Sequence, residues 1–429
     1  MAGDESFFPV PTDVFVSILM LLPTSTRRRL RLVCKGWRDV VDERTPERQV
    51  RTKVLAFISK RQSSRALVFD DDRRREWTFP SSGCFAGVVD MVGTCNGLLC
   101  LHETAPCGDR GVSVLTVANP VTGDTRRLPP VPPARSHRSL GRYVFGYHPI
   151  TGRYKVVHVP SSSSSSWMLD AVQVLDLGEA SWREVKVPLG ASCNHSCGAV
   201  SVDGSVYWLT ARADQVMSLD LDDDEHVAFL DTPPAVRPVK ASSSSSSVSQ
   251  AACRLTNVQA RLGVAVMRHE PPATTKVDVW VLELEGGRDR RRQRRRWSRR
   301  YSVVEPNGGA GGSWSWVTEP HFTHGEYVLW RASLLSKRRL YRCKVRGGKD
   351  DRAELGPPEL IMSEEFYGAL TTFAYVETHE PLPSISLMVF VVPMVARQDH
   401  GKIQGDVRLN RQITAFFGGV MHEDMMLKS

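Results

Sequence analysis

A short β-type unit recurs along most of this chain, and it limits the possible folds more than any other feature of the sequence. The stretch VQVLDLGEASWREV, from Val172 to Val185, matches VDVWVLELE and the later RRWSRRYSV between Val277 and Val303. Copies start near residues 112, 172, 215, 277 and 339. Units of this length with several strands each are typical of β-propeller blades. At roughly 50 residues per unit, the sequence predicts about six or seven blades.

The first forty or so residues have a different, helical pattern. Thr12 can cap a helix that runs through VFVSILMLL, from Val14 to Leu22, and stops at Pro23. A second helix is predicted from Thr24 or Ser25 onward, and a third carries Trp37. From about Lys53 short β-type runs with turn residues between them replace the helical pattern.

These two patterns predict an α+β multidomain chain, in which a small N-terminal three-helix module precedes a mainly β, propeller-like domain. The predicted boundaries are a flexible N-terminus at 1–8, the helical module at 9–45, the propeller-like domain at 46–384 and a C-terminal strand or tail at 385–429. The LMVFVV stretch of that tail is either a closing strand or an unpaired, aggregation-prone segment.

The first helix carries more apolar surface than a small module can bury. Val14 to Leu22 contains eight apolar residues, with Ser17 as the polar exception. Burying eight such side chains is worth on the order of 12 to 24 kcal/mol. Two further short helices cannot cover every side of this one. The uncovered side therefore packs either on another protein or on the β domain of the same chain.

The stretch VPTDVFVSILMLLPTSTRRRLRLVCKGWRDVV resembles the F-box, the helical module that attaches substrate receptors to the Skp-type adaptor of cullin ubiquitin ligases. The resemblance implies that the adaptor-binding residues are Val10, Pro11, Asp13, Val14, Ile18, Leu19, Leu22, Pro23, Leu30, Val33, Cys34, Lys35 and Trp37. Arg27 and Arg28 depart from the family, which usually has leucines there. Two cations at a helix start oppose its dipole by roughly 0.3 to 1 kcal/mol each, so we expect weaker adaptor binding.

Residues 90 to 380 contain GTCNGLLCLHE, ANPVTGDTRRLPPVP and FGYHPITGRYKVVHV, which look like the F-box-associated domain of large plant receptor families. This resemblance implies a propeller-like domain that recognises a protein substrate through residues that one sequence does not identify. It also implies a non-catalytic receptor subunit of a Skp–cullin–F-box ubiquitin ligase. The alternative is a scaffold or nucleic-acid-associated propeller protein that has lost ligase coupling.

The positive charge of the chain is concentrated in one short run. The chain has a net charge of +9, and the run from Arg288 to Arg300 holds nine arginines and one aspartate, or +8, which leaves +1 for the rest. Three interpretations stay open: a solvated loop insertion, a nuclear import signal, or a nucleic-acid contact. The last is disfavoured, because the remaining chain is nearly neutral. The import signal would comprise Arg290, Arg291, Arg292, Arg294, Arg295 and Arg296.

No other motif in the sequence predicts chemistry. Cys193, His195 and Cys197 supply three potential zinc ligands, but a structural zinc site needs four, so we expect no metal and no cofactor. The tryptophans Trp182, Trp208, Trp280 and Trp297 are predicted to recur at equivalent strand positions and to pack between blades. Nine scattered cysteines indicate free thiols, and no apolar run is long enough to span a bilayer. We therefore expect a protein of the cytoplasm and/or nucleus, without membrane contact.

Overall fold

Most of the molecule consists of β-strands. The computed structural model describes residues 11–21, 30, 33, 35–44, 53–61, 63–70, 73–80, 87–105, 112–131, 141–149, 151–160, 168–194, 197–222, 226–236, 253–270, 274–285, 294–304, 327–334, 337–346, 354–379 and 382. Two helices and twenty-four strands lie in these ranges.

The helices and strands follow one another in a regular order. The helices are α1 (Thr12–Leu21) and α2 (Lys35–Arg44). The first strands are β1 (Lys53–Ser59), β2 (Ser63–Asp70), β3 (Arg73–Pro80), β4 (Val88–Cys95), β5 (Leu98–Ala105), β6 (Val112–Ala118), β7 (Thr125–Arg127), β8 (Arg142–His148), β9 (Arg153–Val159), β10 (Ala171–Asp176), β11 (Arg183–Lys186) and β12 (Ala199–Val202). The remaining strands are β13 (Ser205–Leu209), β14 (Gln215–Asp220), β15 (Val227–Asp231), β16 (Cys253–Val258), β17 (Arg261–Glu270), β18 (Thr274–Glu285), β19 (Arg294–Val304), β20 (Tyr327–Leu334), β21 (Lys337–Arg346), β22 (Glu354–Leu355), β23 (Glu359–Glu365) and β24 (Ala369–Tyr375).

The strands form six antiparallel sheets, which are the blades of a propeller. Blade 1 has the order β24-β1-β2-β3, and blades 2 to 5 comprise β4–β7, β8–β11, β12–β15 and β16–β19 in sequence order. In blade 6, β20 pairs with β21, and β21 pairs in turn with both β22 and β23. Six blades among the described residues confirm the predicted propeller and the lower of the two blade numbers.

An apolar core fills the space between each blade and the next. Phe57 of blade 1 packs with Leu99 of blade 2, and Trp208 of blade 4 packs with Val157 of blade 3. Further clusters join blades 2 and 3, 4 and 5, and 5 and 6. The sixth cluster joins Leu340 of blade 6 to Ile58 of blade 1, so the ring of blades is closed. Because side chains alternate along a strand, neighbouring residues of β1 enter opposite cores, with Phe57 toward blade 2 and Ile58 toward blade 6.

Blade 1 is assembled from both ends of the propeller sequence. β24 pairs antiparallel with β1, from Lys53↔Tyr375 to Ser59↔Ala369. The Lys53 ammonium group pairs with the carboxylates of Asp70 at 2.8 Å and Glu377 at 3.0 Å, which adds an ionic link beside the same junction. The closing strand is therefore the TTFAYVET run, whereas the predicted C-terminal strand or tail at 385–429 lies outside the described residues.

The recurring sequence unit corresponds to one position in the blade. Its five copies fall on β6, β10, β14, β18 and β21. The first four are the third strands of blades 2 to 5, and β21 is the central strand of the described blade 6 sheet. The corresponding strand of blade 1 is β2, which is not among the five copies.

An Asn-Gly turn joins β4 to β5. Asn96 and Gly97 have φ angles of 48° and 84°, as a tight hairpin turn of this kind requires. A Cβ atom on Gly97 would lie 2.5 Å from the carbonyl oxygen of Val376, just after β24. Glycine at this position therefore permits both the turn and the close approach of the blade 1 junction to blade 2.

The N-terminal module is described as two helices around a small core of its own. Phe15 and Leu19 of α1 are buried against Val40 and Val41 of α2. Leu30 is helical and partly buried against this core, while most of the predicted second helix lies outside the described residues. The described part of the molecule is therefore mainly β with few helices, as the sequence predicted for everything after the N-terminal module. No described helix has the length and apolar character needed to cross a membrane.

Candidate functional site

Helix α1 has apolar side chains on two different sides. Phe15 and Leu19 face the core of the module, and Leu19 is only 1% exposed. Val14 and Ile18, one turn apart on the neighbouring side, are 48% and 47% exposed. Val33, in the turn after Leu30, is 59% exposed. The module therefore buries one stripe of α1 and presents a second one, Val14 and Ile18, to the outside.

The predicted adaptor residues divide into exposed and buried positions. Pro11 and Asp13 are exposed with Val14, Ile18 and Val33. Leu19 is enclosed by the core of the module, and its part in adaptor binding, which the resemblance implied, stays a prediction. Of the remainder, Leu30 and Trp37 are half-buried, whereas the side chains of Val10, Leu22, Pro23, Cys34 and Lys35 lie outside what is described.

Two contacts orient the exposed side of α1. The ring of Trp37 meets that of Phe15 edge to face, with centroids 4.6 Å apart. Arg44, in the last turn of α2, donates to the Asp13 carboxylate at 2.8 Å. The Asp13 pair is exposed and so contributes at most about 1 kcal/mol, which leaves the aromatic and aliphatic core as the main support.

The arginine run is not a simple loop insertion. Arg294, Arg295 and Arg296 begin β19, where they pair with Glu285, Leu284 and Glu283 of β18. The half of the run that is described is thus the outer strand of blade 5, which corrects the loop interpretation. Residues 286–293, with Arg290, Arg291 and Arg292, lie outside the described part of the chain.

A polar cluster between blades 2 and 3 has no counterpart in the sequence-based predictions. His102 Nε2 lies 2.7 Å from the Ser113 hydroxyl, and the Tyr143 ring stacks between the rings of His102 and His158. The Nδ1 atom of His158 lies 2.8 Å from the Oε1 atom of Gln173. Burial lowers the pKa of His102 although the Asp90 charge opposes this, so its imidazole is neutral at neutral pH.

These residues come from five strands of two blades, β5, β6, β8, β9 and β10. Only the fold brings them together, and no local motif signals the cluster. Its hydrogen bonds and stacked rings join two blades.

The cysteines on either side of residue 195 are buried in the cores between blades. No group of three metal-ligating side chains occurs among the described residues. Cys193 is buried in the core between blades 3 and 4, and burial raises the pKa of its thiol to about 12. Cys197 and Cys253 are free thiols in the core between blades 4 and 5, with their sulfur atoms 3.5 Å apart.

Two of the four tryptophans occupy equivalent positions, whereas the other two do not. Trp182, just before β11, donates its indole N–H to the carbonyl oxygen of Pro129 at 2.9 Å. Trp297, in β19, donates in the same way to Asp231 at 2.7 Å. Each bond joins an outer strand to the outer region of the preceding blade. Trp208 and Trp280 lie instead on second and third strands, so all four pack between blades but do not share one position.

Comparison with known proteins agrees with both regions. The family model for the F-box associated beta propeller domain matches residues 47–341, and that for the F-box domain matches residues 10–48. An Arabidopsis thaliana protein named as an F-box protein is 27% identical over 49% of this chain and 47% of its own length. An F-box/LRR-repeat protein of the same plant is 26% identical over 70% of each chain. Another Arabidopsis F-box protein is 25% identical over 68% of this chain and 72% of its own.

The extent of these matches decides the family. The match to the first of these relatives spans about half of that relative's length, whereas the propeller family match alone covers more than half of this chain. The six blades and the separate helical module agree with that assignment. The chain therefore belongs to the F-box-associated β-propeller family and carries an F-box at its N-terminal end.

Proposed function

We propose that this chain is the non-catalytic substrate-recognition subunit of a Skp–cullin–F-box ubiquitin ligase. In this proposal the helical module docks a Skp-type adaptor, and through it a cullin, while the propeller holds a protein substrate. Such a subunit accelerates ubiquitin transfer by bringing the substrate close to the rest of the ligase.

The exposed stripe of α1 is the observation that supports adaptor docking. Val14 and Ile18 are each about half exposed, next to a helix side that is fully used by the module's core. Burying the exposed halves of both side chains against a partner would contribute roughly 2 to 3 kcal/mol. Exposed apolar side chains on adjoining turns are typical of a protein interface.

Removal of this stripe tests the proposal. We expect Val14→Ala/Ile18→Ala in the full chain to weaken co-purification with a Skp-type adaptor at least tenfold, which corresponds to about 1.4 kcal/mol. The matched control is Leu189→Ala/Leu360→Ala, which removes two exposed aliphatic side chains from the propeller. This control is expected to bind the adaptor normally. Unchanged binding of the α1 variant would overturn the proposal.

The variant Leu19→Ala distinguishes side chains that contact the adaptor from side chains that stabilise the helical module. Because Leu19 is buried among Phe15, Val40 and Val41, we expect its truncation to destabilise the module by about 2 to 5 kcal/mol. The loss of helical signal in circular dichroism should then accompany the loss of adaptor binding. The Val14→Ala/Ile18→Ala variant should lose binding with its helical signal intact.

Arg27 and Arg28 give a second, opposite test of the adaptor contact. The double variant Arg27→Leu/Arg28→Leu is expected to strengthen co-purification, because it restores the apolar residues that the F-box family usually has there. Weaker binding would mean that these cations meet acidic groups of the adaptor.

The proposed location is the cytoplasm and/or the nucleus, with the arginines of the run as a nuclear import signal. Substitution of Arg290, Arg291 and Arg292 by Ser is expected to shift a fluorescently tagged chain from nucleus to cytoplasm. These positions lie before β19, so the described strand stays intact. An unchanged distribution would remove the import role.

A further inference from the structure

The outer strand of blade 5 carries a dense group of positive charges. β19 holds five arginines between Arg294 and Arg300. Arg295, Arg296, Arg299 and Arg300 are all exposed. Because side chains alternate along a strand, Arg295 and Arg299 lie on the same face as Trp297, one on either side of it. Trp297 packs toward blade 4, so this face borders the junction of blades 4 and 5.

Part of this charge has no carboxylate partner among the residues that the structure describes. Arg300 pairs with Glu283 at 2.9 Å. Arg295 and Arg299 form no ion pair with any residue that the structure describes. Exposed arginines on the outer strand of blade 1 do have such partners, since Arg74 pairs with Glu364 at 2.8 Å and Arg75 with Glu377 at 2.9 Å. The uncompensated pair is therefore a property of β19 and not of arginines on outer strands in general.

The backbone of β19 offers a second element of recognition. In the described sheet β19 pairs with β18 alone and forms the outer edge of blade 5. Along such an edge, alternate N–H and C=O groups point away from the sheet. An extended polypeptide can add there as a further strand, with main-chain hydrogen bonds providing affinity and side chains providing specificity.

We propose that the outer edge of β19 binds an acidic, extended segment of a protein partner. Two carboxylates four residues apart in that segment lie opposite Arg295 and Arg299, because same-face residues recur at every second position of a strand. The residue midway between them lies over the half-buried Trp297 and is apolar. The expected motif is thus acid, any residue, apolar residue, any residue, acid. Guanidinium groups suit this role, since each can bind a carboxylate through two hydrogen bonds.

A nucleic acid fits the same surface less well. The Trp297 indole is half-buried and packs toward blade 4, so it offers less exposed ring surface than a base-stacking platform needs. The chain outside residues 288–300 carries a net charge of +1, which supplies no extended phosphate-binding surface. An open backbone edge is complementary to another polypeptide.

The first test measures binding of a peptide probe to the full chain by fluorescence anisotropy. The probe is fluorescein-labelled Gly-Ser-Glu-Thr-Val-Thr-Glu-Ser-Gly. We expect the unaltered protein to bind it at least about tenfold more tightly than the peptide with Gln in place of both Glu residues, because cross-strand ion pairs contribute to each of two positions. Equal affinity for the two peptides would overturn the proposal without any protein variant.

Protein variants locate the binding surface. Arg295→Glu/Arg299→Glu is expected to weaken peptide binding at least about tenfold, and Arg295→Lys/Arg299→Lys to keep it within about threefold. The matched control is Arg212→Glu/Lys344→Glu, which changes the net charge equally at two exposed positions elsewhere. An equal loss in the control would show that the peptide responds to net charge alone, and would overturn the site.

Two further probes separate strand addition from the alternatives. Two peptides, each methylated at the backbone nitrogens along one of its two edges, should differ in affinity, because only one edge of the bound peptide faces β19. Equal binding of both would overturn strand addition. Tighter binding of a single-stranded RNA oligonucleotide, lost in Arg295→Glu/Arg299→Glu, would overturn the proposed class of partner. Adaptor co-purification should be unchanged in these variants, so failure here is distinguishable from failure of the ligase proposal.

Discussion

The outer strands of blades 1 and 5 begin with the same residues and have different surroundings. β3 starts with three arginines, from Arg73, and has a tryptophan at its fifth position, whereas β19 starts with three arginines, from Arg294, and has a tryptophan at its fourth. In blade 1, carboxylates from two other segments meet the arginines: Glu364 of β23 contacts Arg74, and Glu377 contacts Arg75. In β19, the described ion pair involves Arg300 and a neighbour in the same sheet, Glu283.

The difference shows how one local sequence pattern serves two purposes. Glu364 belongs to blade 6, so its bonds to Arg65 and Arg74 join the last blade to the first at the point where the ring closes. The blade 1 arginines are thus part of the closure of the propeller. Arg295 and Arg299 of β19 form no ion pair with a described residue, so their charge is available to a partner.

The largest expected effect of a substitution on this comparison is at Glu364. Its carboxylate is 17% exposed and accepts from both Arg65 and Arg74. We expect Glu364→Gln to lower the free energy of unfolding by about 1 to 2 kcal/mol, because two partly buried charge-assisted bonds are weakened. The matched change in blade 5, Glu283→Gln, should cost less than about 0.5 kcal/mol, since its partner Arg300 is 52% exposed.

Urea unfolding followed by tryptophan fluorescence measures both values, and the slope with denaturant should be unchanged. Equal losses in the two variants would mean that the blade 1 arginines do not contribute more to closure than those of β19.

The next largest effect on the free energy of unfolding is expected from the tryptophans of β3 and β19. Trp297 donates to the Asp231 carbonyl of the preceding blade, while Trp77 of β3 makes an edge-to-face contact with Tyr375, with ring centroids 5.9 Å apart. A change to Phe reduces side-chain volume at both positions but removes an interblade hydrogen bond only at Trp297. We expect Trp297→Phe to cost about 0.5 to 1.5 kcal/mol more than Trp77→Phe in the same urea assay. A larger loss at Trp77 would contradict this.

The sequence predicted the repeated β-unit but not the different uses of its outer strands. Continuous apolar runs such as VLAFIS and YKVVHV mark the inner strands, because both of their faces are packed. The RRWSRRYSV part of the repeated unit predicts a strand, and the pairing with β18 shows that this strand begins at Arg294 and so includes part of the arginine run. The Glu364 carboxylate, which Arg74 contacts at 2.8 Å, is 290 residues away in sequence, so this contact of β3 depends on ring closure.

Prediction from sequence has a similar limit in the helical module, where it does not show which apolar side chains of α1 are exposed. Ile18 and Leu19 are adjacent and both apolar, so a helix that is apolar on nearly every side does not indicate which of them is exposed. The packing of α2 decides this, because Val40 and Val41 cover the side that carries Leu19 and leave Ile18 about half exposed. The location of the helix was therefore predictable from sequence, whereas the choice of exposed stripe required the fold.

An effect smaller than those of the two tryptophan substitutions is expected at alkaline pH, where blade 1 loses the stability that Lys53 contributes. Burial alone would lower the pKa of Lys53, but the carboxylates of Asp70 and Glu377 outweigh it and raise that pKa. A raised lysine pKa contributes stability that is fully present below the unfolded value near 10.4 and is lost as pH rises through the folded value. We expect this loss to be about 0.5 kcal/mol after solvent screening. Glu377→Gln should reduce it, as measured by urea unfolding between pH 9 and pH 11.

The smallest expected effect is the acid dependence of β19. The nearby Ser298 hydroxyl, followed by the cations of Arg300 and Arg261, outweighs burial and holds the pKa of Glu283 below its usual range. A depressed carboxyl pKa contributes stability that is present above the unfolded value of about 4.3 and is lost as pH falls through the folded value. Because Arg300 is 52% exposed and solvent screens its charge, this amounts to a few tenths of a kcal/mol.

The difference in unfolding free energy between the unaltered chain and Glu283→Gln should therefore shrink between pH 5 and pH 3. Other carboxylates titrate in the same range, and subtracting the two curves removes their contribution. A constant difference would show that the Glu283 carboxylate is not stabilised by its neighbours in β19 and β17. In that case Arg300 would join Arg295 and Arg299 as an uncompensated cation, and the contrast with β3 would be larger than the ion pairs indicate.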